Sequence, residues 1–130
     1  MNDIRRFYKE LGNLFYAIAA SDKNISPAEK QKLDDEVQFA WRHYDHSTDR
    51  FGTDRAFLIE FEFEAMEDEM ASAKDAFSSF QDYFVENKNQ IDSSTRKRIF
   101  NSAKHIAETV HKVNGAEHKY LDRLKKLMHG

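Results

Sequence analysis

The stretch RAFLIEFEFEAMEDEMASAKDAFSSFQDYFVENK, residues 55–88, decides the fold. Residues 59–64 alternate Ile, Glu, Phe, Glu, Phe, Glu, which is the period of a half-buried strand. The same residues also stand in helical rows. Phe57, Phe61 and Ala65 form one; Ile59, Phe63, Met66 and Met70 form another, which Ala73, Phe77, Phe80 and Phe84 continue. The length of the segment, its Ala, Glu and Met content and the lack of any partner strand select helix. Apolar residues on two faces suit a helix packed between others. A break is expected near residues 71–75.

The flanking segments carry the same period. Ile4, Phe7, Leu11, Leu14, Phe15 and Ile18 define one helical face, ending near Ala20 or Ser21. Leu33, Val37, Ala40, Trp41 and Tyr44 form the stripe of a second helix. DHSTDRFGTD, residues 45–54, is rich in turn formers and marks the main irregular connection. A further helix starts around Ser93 or Ser94 and carries Ile99, Ala103, Ile106, Ala107 and Val110. The last carries Leu121, Leu124, Leu127 and Met128. The expectation is an all-α compact bundle of five to seven helices forming one domain over residues 1–130.

Composition agrees. Hydrophobic residues make up 40% of the 130 and charged residues 33%, the profile of a globular chain. Four glycines and one proline are too few for the many tight turns of an all-β fold. The absence of cysteine excludes disulfides, thiolate zinc sites and cysteine nucleophiles. A net charge of -3 provides no overall basic field for nucleic acid or anionic lipid. The N-terminal MNDIRRFYKELG has charges where a signal peptide needs an apolar run, so a cytoplasmic location without membrane insertion is expected.

AIAASDKNISPAEKQKLD (17–34) lies over HIAETVHKVNGAEHKYLD (105–122) without a gap. Ile18 meets Ile106, Ala19 meets Ala107, Ile25 meets Val113, Glu29 meets Glu117 and Leu33 meets Leu121. Each copy is an apolar helix end, a short loop with one β-branched residue and a newly opened helix. Two helix–loop–helix units related by a pseudo-twofold are expected. This pattern, an apolar helix ending in Ala-x-x-Asp, a polar loop with one aliphatic residue, then Ser/Pro-x-Glu, resembles the TerB-like helical domains named for a tellurite-resistance protein. Similar domains occur in a membrane-anchored DnaJ-type co-chaperone. The resemblance covers the helix layout of the whole chain, with specific motifs only in the two loops. It implies a non-enzymatic binding or adaptor domain with a protein partner, a link to tellurite resistance or stress response, and an acidic, metal-responsive surface. The implied divalent-metal ligands are Asp22, Glu29 and Glu117. Two departures stand against a symmetric acidic site: the family's Asp-Gly is Asp22-Lys23 here, and the second aspartate position is Val110.

Residue chemistry supplies competing readings. Counted from Asp22, an EF-hand would need Gly at its sixth position and Glu at its twelfth; Pro27 and Leu33 stand there, so the loop is no EF-hand. Ser26-Pro27-Ala28-Glu29 instead fits a capping box with Pro at the first helical position, and Asn114 with Glu117 fits the same role in the second copy. Asp22 is left unexplained by the box. His43, Asp45, His46 and Asp49 lie close in sequence, but only two ligands share a helix face, and the negative pole of a helix accounts for the histidines. Glu108 and His111 form one Glu-x-x-His element, where a di-iron bundle needs two. Glu60, Glu62, Glu64, Glu67, Asp68 and Glu69 read either as a solvated face or as carboxylates for catalysis or cation binding. Arg96, Lys97 and Arg98, with Arg123, Lys125 and Lys126, read as a basic patch for an acidic partner or nucleic acid. A metal-dependent enzyme with Glu/His ligands such as Glu60, Glu64, His105 and His111, and a nucleic-acid-binding helical domain, are the alternative functions. Neither a nucleophile–base–orienter set nor a Gly-rich phosphate loop is present.

Overall fold

The computed structural model describes residues 4–21, 25–42, 44, 55–109 and 115–129, with side chains in the last segment from residue 118 onward. Among these residues there are six α-helices and no strand: α1 (Ile4–Ala19), α2 (Pro27–Glu36), α3 (Leu58–Asp68), α4 (Ala73–Asn87), α5 (Ser93–Ala107) and α6 (Gly115–His129). A π-helical stretch, Val37–Trp41, extends α2, and single 3₁₀ turns precede α3 and follow α4. The connection expected at 45–54 lies outside the described residues.

The ambiguous stretch is helical. A rotation of about 100° per residue puts Ile59 and Phe63 in the core and turns Phe61, which is 60% exposed, away from it. The strand-like alternation is therefore one buried row plus one solvent-facing phenylalanine. The expected break falls at residues 69–72. Ala71 N–H donates to the Met66 carbonyl at 2.9 Å and Met70 N–H to the Glu67 carbonyl at 3.1 Å, the paired bonds of a Schellman closure. Met70 takes the left-handed position at φ 53, where glycine is usual. Ser72 then caps α4 by accepting from the Asp75 amide at 3.2 Å.

α1 is the central helix. Its sequence shows one apolar face, yet from Leu14 to Ala19 it is buried all round, because α3, α4, α5 and α6 all pack on it. Gly12 sets how near α3 comes: a Cβ there would lie 2.7 Å from the Ile59 carbonyl oxygen and 2.8 Å from Glu62 Cβ. Buried residues from all six helices join in one core. At one end of it Phe7, Trp41 and Tyr44 form an aromatic group, with Phe7 centroids 5.9 Å from Trp41 and 5.6 Å from Tyr44.

The internal repeat is visible in the helix boundaries. α1 ends at Ala19 and α5 at the equivalent Ala107; α2 begins at Pro27 and α6 at the equivalent Gly115. The two C-termini close alike. Ala20 N–H reaches the Tyr16 carbonyl at 2.8 Å, as Glu108 N–H reaches that of Lys104 at 2.9 Å. Ser21 N–H reaches the Ile18 carbonyl at 3.4 Å, as Thr109 N–H reaches that of Ile106 at 3.3 Å. Ile18 and Ile106, Ala19 and Ala107, and Leu33 and Leu121 are buried in both copies. α2 touches α5 and α6 touches α1, the reciprocal contacts a pseudo-twofold asks for; α6 also packs along α5, whereas among the described residues α2 packs little on α1.

Candidate functional site

α2 and α3 face each other across a cleft of about 370 Å³ lined by Lys30, Asp34, Glu60, Glu64, Glu67 and Asp68 over a floor of Leu33 and Phe63. The helical period explains the lining. Glu60, Glu64 and Glu67 recur at four and three residues on α3, and Lys30 and Asp34 at four on α2, so each set shares a face. Lys30 Nζ meets Glu67 Oε2 at 2.7 Å. That bridge leaves Asp34, Glu60, Glu64 and Asp68 facing one another without a cation of their own in the lining.

Glu60 is the unusual member. Its Oε1 is shielded from solvent and finds no donor. Burial, a hydrogen bond shared with the Asp34 carboxyl, and the charges of Asp34 and Glu64 push its pKa up to about 8. These influences favour the protonated form of Glu60. Farther round α3, burial also raises the Glu62 pKa, with Lys9 opposing and Glu10 and Glu69 adding to the shift. Burial, then the charge of Glu67, raises that of Tyr16, whose hydroxyl donates to the Ala71 carbonyl at 2.7 Å.

The implied metal ligands are not brought together among the described residues. Asp22 lies outside them, as does the side chain of Glu117. Glu29 is 3% exposed and completes the expected capping box: its Oε1 accepts from Ser26 N–H at 3.0 Å, and Ser26 Oγ accepts from Glu29 N–H at 3.1 Å. Its carboxylate is thus committed to starting α2. Among the described residues no three His, Asp or Glu side chains are placed to hold a metal ion. His43, Asp45, His46, Asp49, His111 and Asn114 lie outside the description, and Glu108 is the exposed residue that follows α5.

His105 and Glu60 belong to different places. His105 Nδ1 lies 3.2 Å from Glu36 Oε2 in a second groove, between α2 and α5. Glu36 Oε1 accepts from Ser102 Oγ at 2.7 Å, and Ser102 Oγ accepts from Trp41 Nε1 at 3.0 Å. This chain of polar contacts runs from the core to the surface and satisfies the buried indole N–H. Its members are distant in sequence, and of them only His105 stands among the candidates read from the sequence. The one local signal was Ser102, a polar residue on the buried face that also holds Ile99, Ala103 and Ile106.

Of the arginines of the basic patch, Arg96 is half-buried, whereas Arg98 and Arg123 are exposed and lie back over the protein. Arg96 donates to the carbonyls of Ile91 (2.9 Å), Lys88 (2.6 Å) and Met128 (3.2 Å) and covers the Phe84 ring. Arg98 donates to the Ala40 carbonyl and lies over Trp41 and Tyr44. Arg123 covers Phe77 at 4.5 Å and Tyr120 at 5.5 Å. Lys97, Lys125 and Lys126 are exposed as well.

The chain matches no family model, no curated protein and no solved structure. Among the described residues no helix is long and apolar enough to cross a membrane.

Proposed function

We propose that this chain is a non-enzymatic binding domain of the TerB-like kind, an adaptor that receives a basic segment of a protein partner on the acidic α2–α3 face. The observation that carries the family reading is the pair of helix–loop–helix units, which end and restart at equivalent residues, Ala19 and Pro27 against Ala107 and Gly115. The acidic face supports the binding reading: Asp34, Glu64 and Asp68 supply negative charge around a half-open cleft whose floor is apolar. The engagement of the arginines by backbone carbonyls and aromatic rings weighs against nucleic acid as the partner. The dispersion of Glu60 and His105 into separate grooves weighs against a Glu/His metalloenzyme.

Titration calorimetry with a lysine- and arginine-rich peptide tests the reading. Binding is expected to weaken as salt is raised and to weaken further in a Glu64→Gln/Asp68→Asn variant. Failure to bind the peptide tighter than about 1 mM at low salt would overturn it. The same titration with calcium, zinc and manganese, on the parent chain and on Asp22→Ala, tests the metal-responsive part. Unchanged tellurite tolerance in cells lacking the protein would remove the tellurite association.

A further inference from the structure

We infer that a cavity at the α3–α4 corner continues the acidic cleft into one docking groove, and that the partner segment it takes carries an aliphatic or aromatic side chain beside its lysines and arginines. The inference rests on the proposed reading of the α2–α3 face and adds what the segment must hold besides charge.

The cavity is about 610 Å³, within the range of pockets that enclose ligands and side chains. Its walls are largely apolar: Ala20 and Ile25 on either side of the first loop, Ala71 and Ala73 at the α3–α4 junction, and the rings of Tyr16 and Tyr120. Ile25, the aliphatic residue of the first repeated loop, is half-buried against the core here. The Tyr16 hydroxyl donates to the Ala71 carbonyl at 2.7 Å and ties the corner to α1. Met70 also lines the cavity. It is 87% exposed, so its side chain adds little to the core, and it holds a left-handed backbone position that glycine takes at lower cost. What its thioether side chain supplies is an adaptable apolar wall for an entering group.

The charges around the cavity fix the kind of segment. Glu67 lines both the cavity and the acidic cleft, so the two share a wall. On the cleft side of it stand Asp34, Glu64 and Asp68, while Glu67 itself is bridged to Lys30 at 2.7 Å. On the cavity side stands Lys74, in the first turn of α4. A segment laid across Glu67 is therefore drawn in by its cations over the cleft, and meets a like charge if it carries a cation into the cavity. There the walls suit an apolar side chain instead. An acidic segment would be repelled by the cleft, and a wholly apolar one would cover its carboxylates without a counter-charge. The complement is a basic stretch with an apolar anchor on the Lys74 side.

Two peptides of equal length and charge test the groove by titration calorimetry. One holds Lys, Arg and Ser only; in the other, Leu and Phe replace the serines at both ends. The Leu/Phe peptide is expected to bind at least about tenfold tighter, the gain from burying one such side chain. Raised salt should weaken both peptides and leave that gain in place, because apolar burial is not screened. Met70→Gly suits the backbone at its position, is expected to fold with a raised denaturation midpoint, and should cut the gain to below about threefold. With methyl-labelled methionines, the Met70 resonance should shift on adding the Leu/Phe peptide and stay in place with the Ser peptide. Equal affinities for the two peptides, or a gain that survives Met70→Gly in full, would overturn the inference and leave the acidic-face reading standing. Binding of the Leu/Phe peptide that ignores both salt and Glu64→Gln/Asp68→Asn would overturn the acidic-face reading, and with it the basic half of the segment.

Discussion

The two helix–loop–helix units were written with the same local grammar and ended in different surroundings. α1 and α5 stop in the same way, and α2 and α6 start at equivalent residues. Yet α6 lies along α5 and is clamped by Arg96, whereas α2 stands off from α1 and meets α3 through carboxylates and a lysine. The difference teaches that short-range sequence sets where helices begin and end, while the helices inserted between the units set how each is held. In the first unit α3 and α4 make the main packing on α1, and the cleft lies between α2 and α3.

The strongest way to sharpen this contrast is to cut the same atoms from both units. Ile18→Ala and Ile106→Ala each remove a fully buried side chain and are expected to cost about 2–5 kcal/mol in chemical denaturation. Ile18→Ala should lie at the upper end, because α1 is enclosed by four helices and its site collapses less. Equal losses would mean that the central place of α1 carries no extra stability. Next in size is Gly12→Ala. The added Cβ would meet the Ile59 carbonyl and must push α3 from α1, at about 1–3 kcal/mol. A change within a few tenths would show that the approach is not tight.

Arg96→Ala removes three charge-assisted bonds to carbonyls and is expected to cost about 1.5–3 kcal/mol, with early exchange of α6 amides. Lys30→Ala in the first unit should cost less than about 1 kcal/mol, since its bridge is exposed. If the two were equal, the contrast between a clamped α6 and a loosely held α2 would fail. A change of comparable size is expected to be a gain. Met70 is 87% exposed in a left-handed conformation, so Met70→Gly should stabilise the chain by about 1 kcal/mol, read as a raised denaturation midpoint.

The pH dependence of the first unit has a definite sign. The folded Glu60 pKa of about 8 lies above its ordinary value of 4.5, so folding binds the proton more tightly. Its contribution to stability is complete below the ordinary value and is lost as pH rises through about 8. A Glu60→Gln chain should therefore show a flatter stability profile over that interval in denaturant titrations. Asp92 has the opposite sign: hydrogen bonds from the Thr95 backbone and side chain lower its pKa, so its contribution is present above 3.8 and is lost as the pH falls through the lowered value.

Much of the fold was legible without coordinates. The start of α5 beside Asp92, the capping box at Ser26, the break between α3 and α4 and the buried rows of α5 and α6 follow from local preference and a 3.6-residue period. Those are properties of neighbouring residues. The site was only half legible. Glu60 and Glu64 stood out as carboxylates, but nothing near them in sequence pointed to Asp34 across the cleft. The sequence did not show that Arg96 and Arg98 of the basic patch are bonded to distant carbonyls, because those partners are brought near only by folding. Likewise Phe61 and Ile59 are similar in hydrophobicity and opposite in burial.

By itself, then, the sequence determined an all-α bundle, its repeated loop grammar and the ends of its helices, because capping and periodicity act over a turn or two. The tertiary structure alone decided that α1 is enclosed, that Arg96 and Arg98 bond the carbonyls of distant residues and that Glu60 shares an acidic cleft with Asp34. Burial and charge proximity are sums over residues that only folding brings together, and the chemistry of the α2–α3 cleft is such a sum.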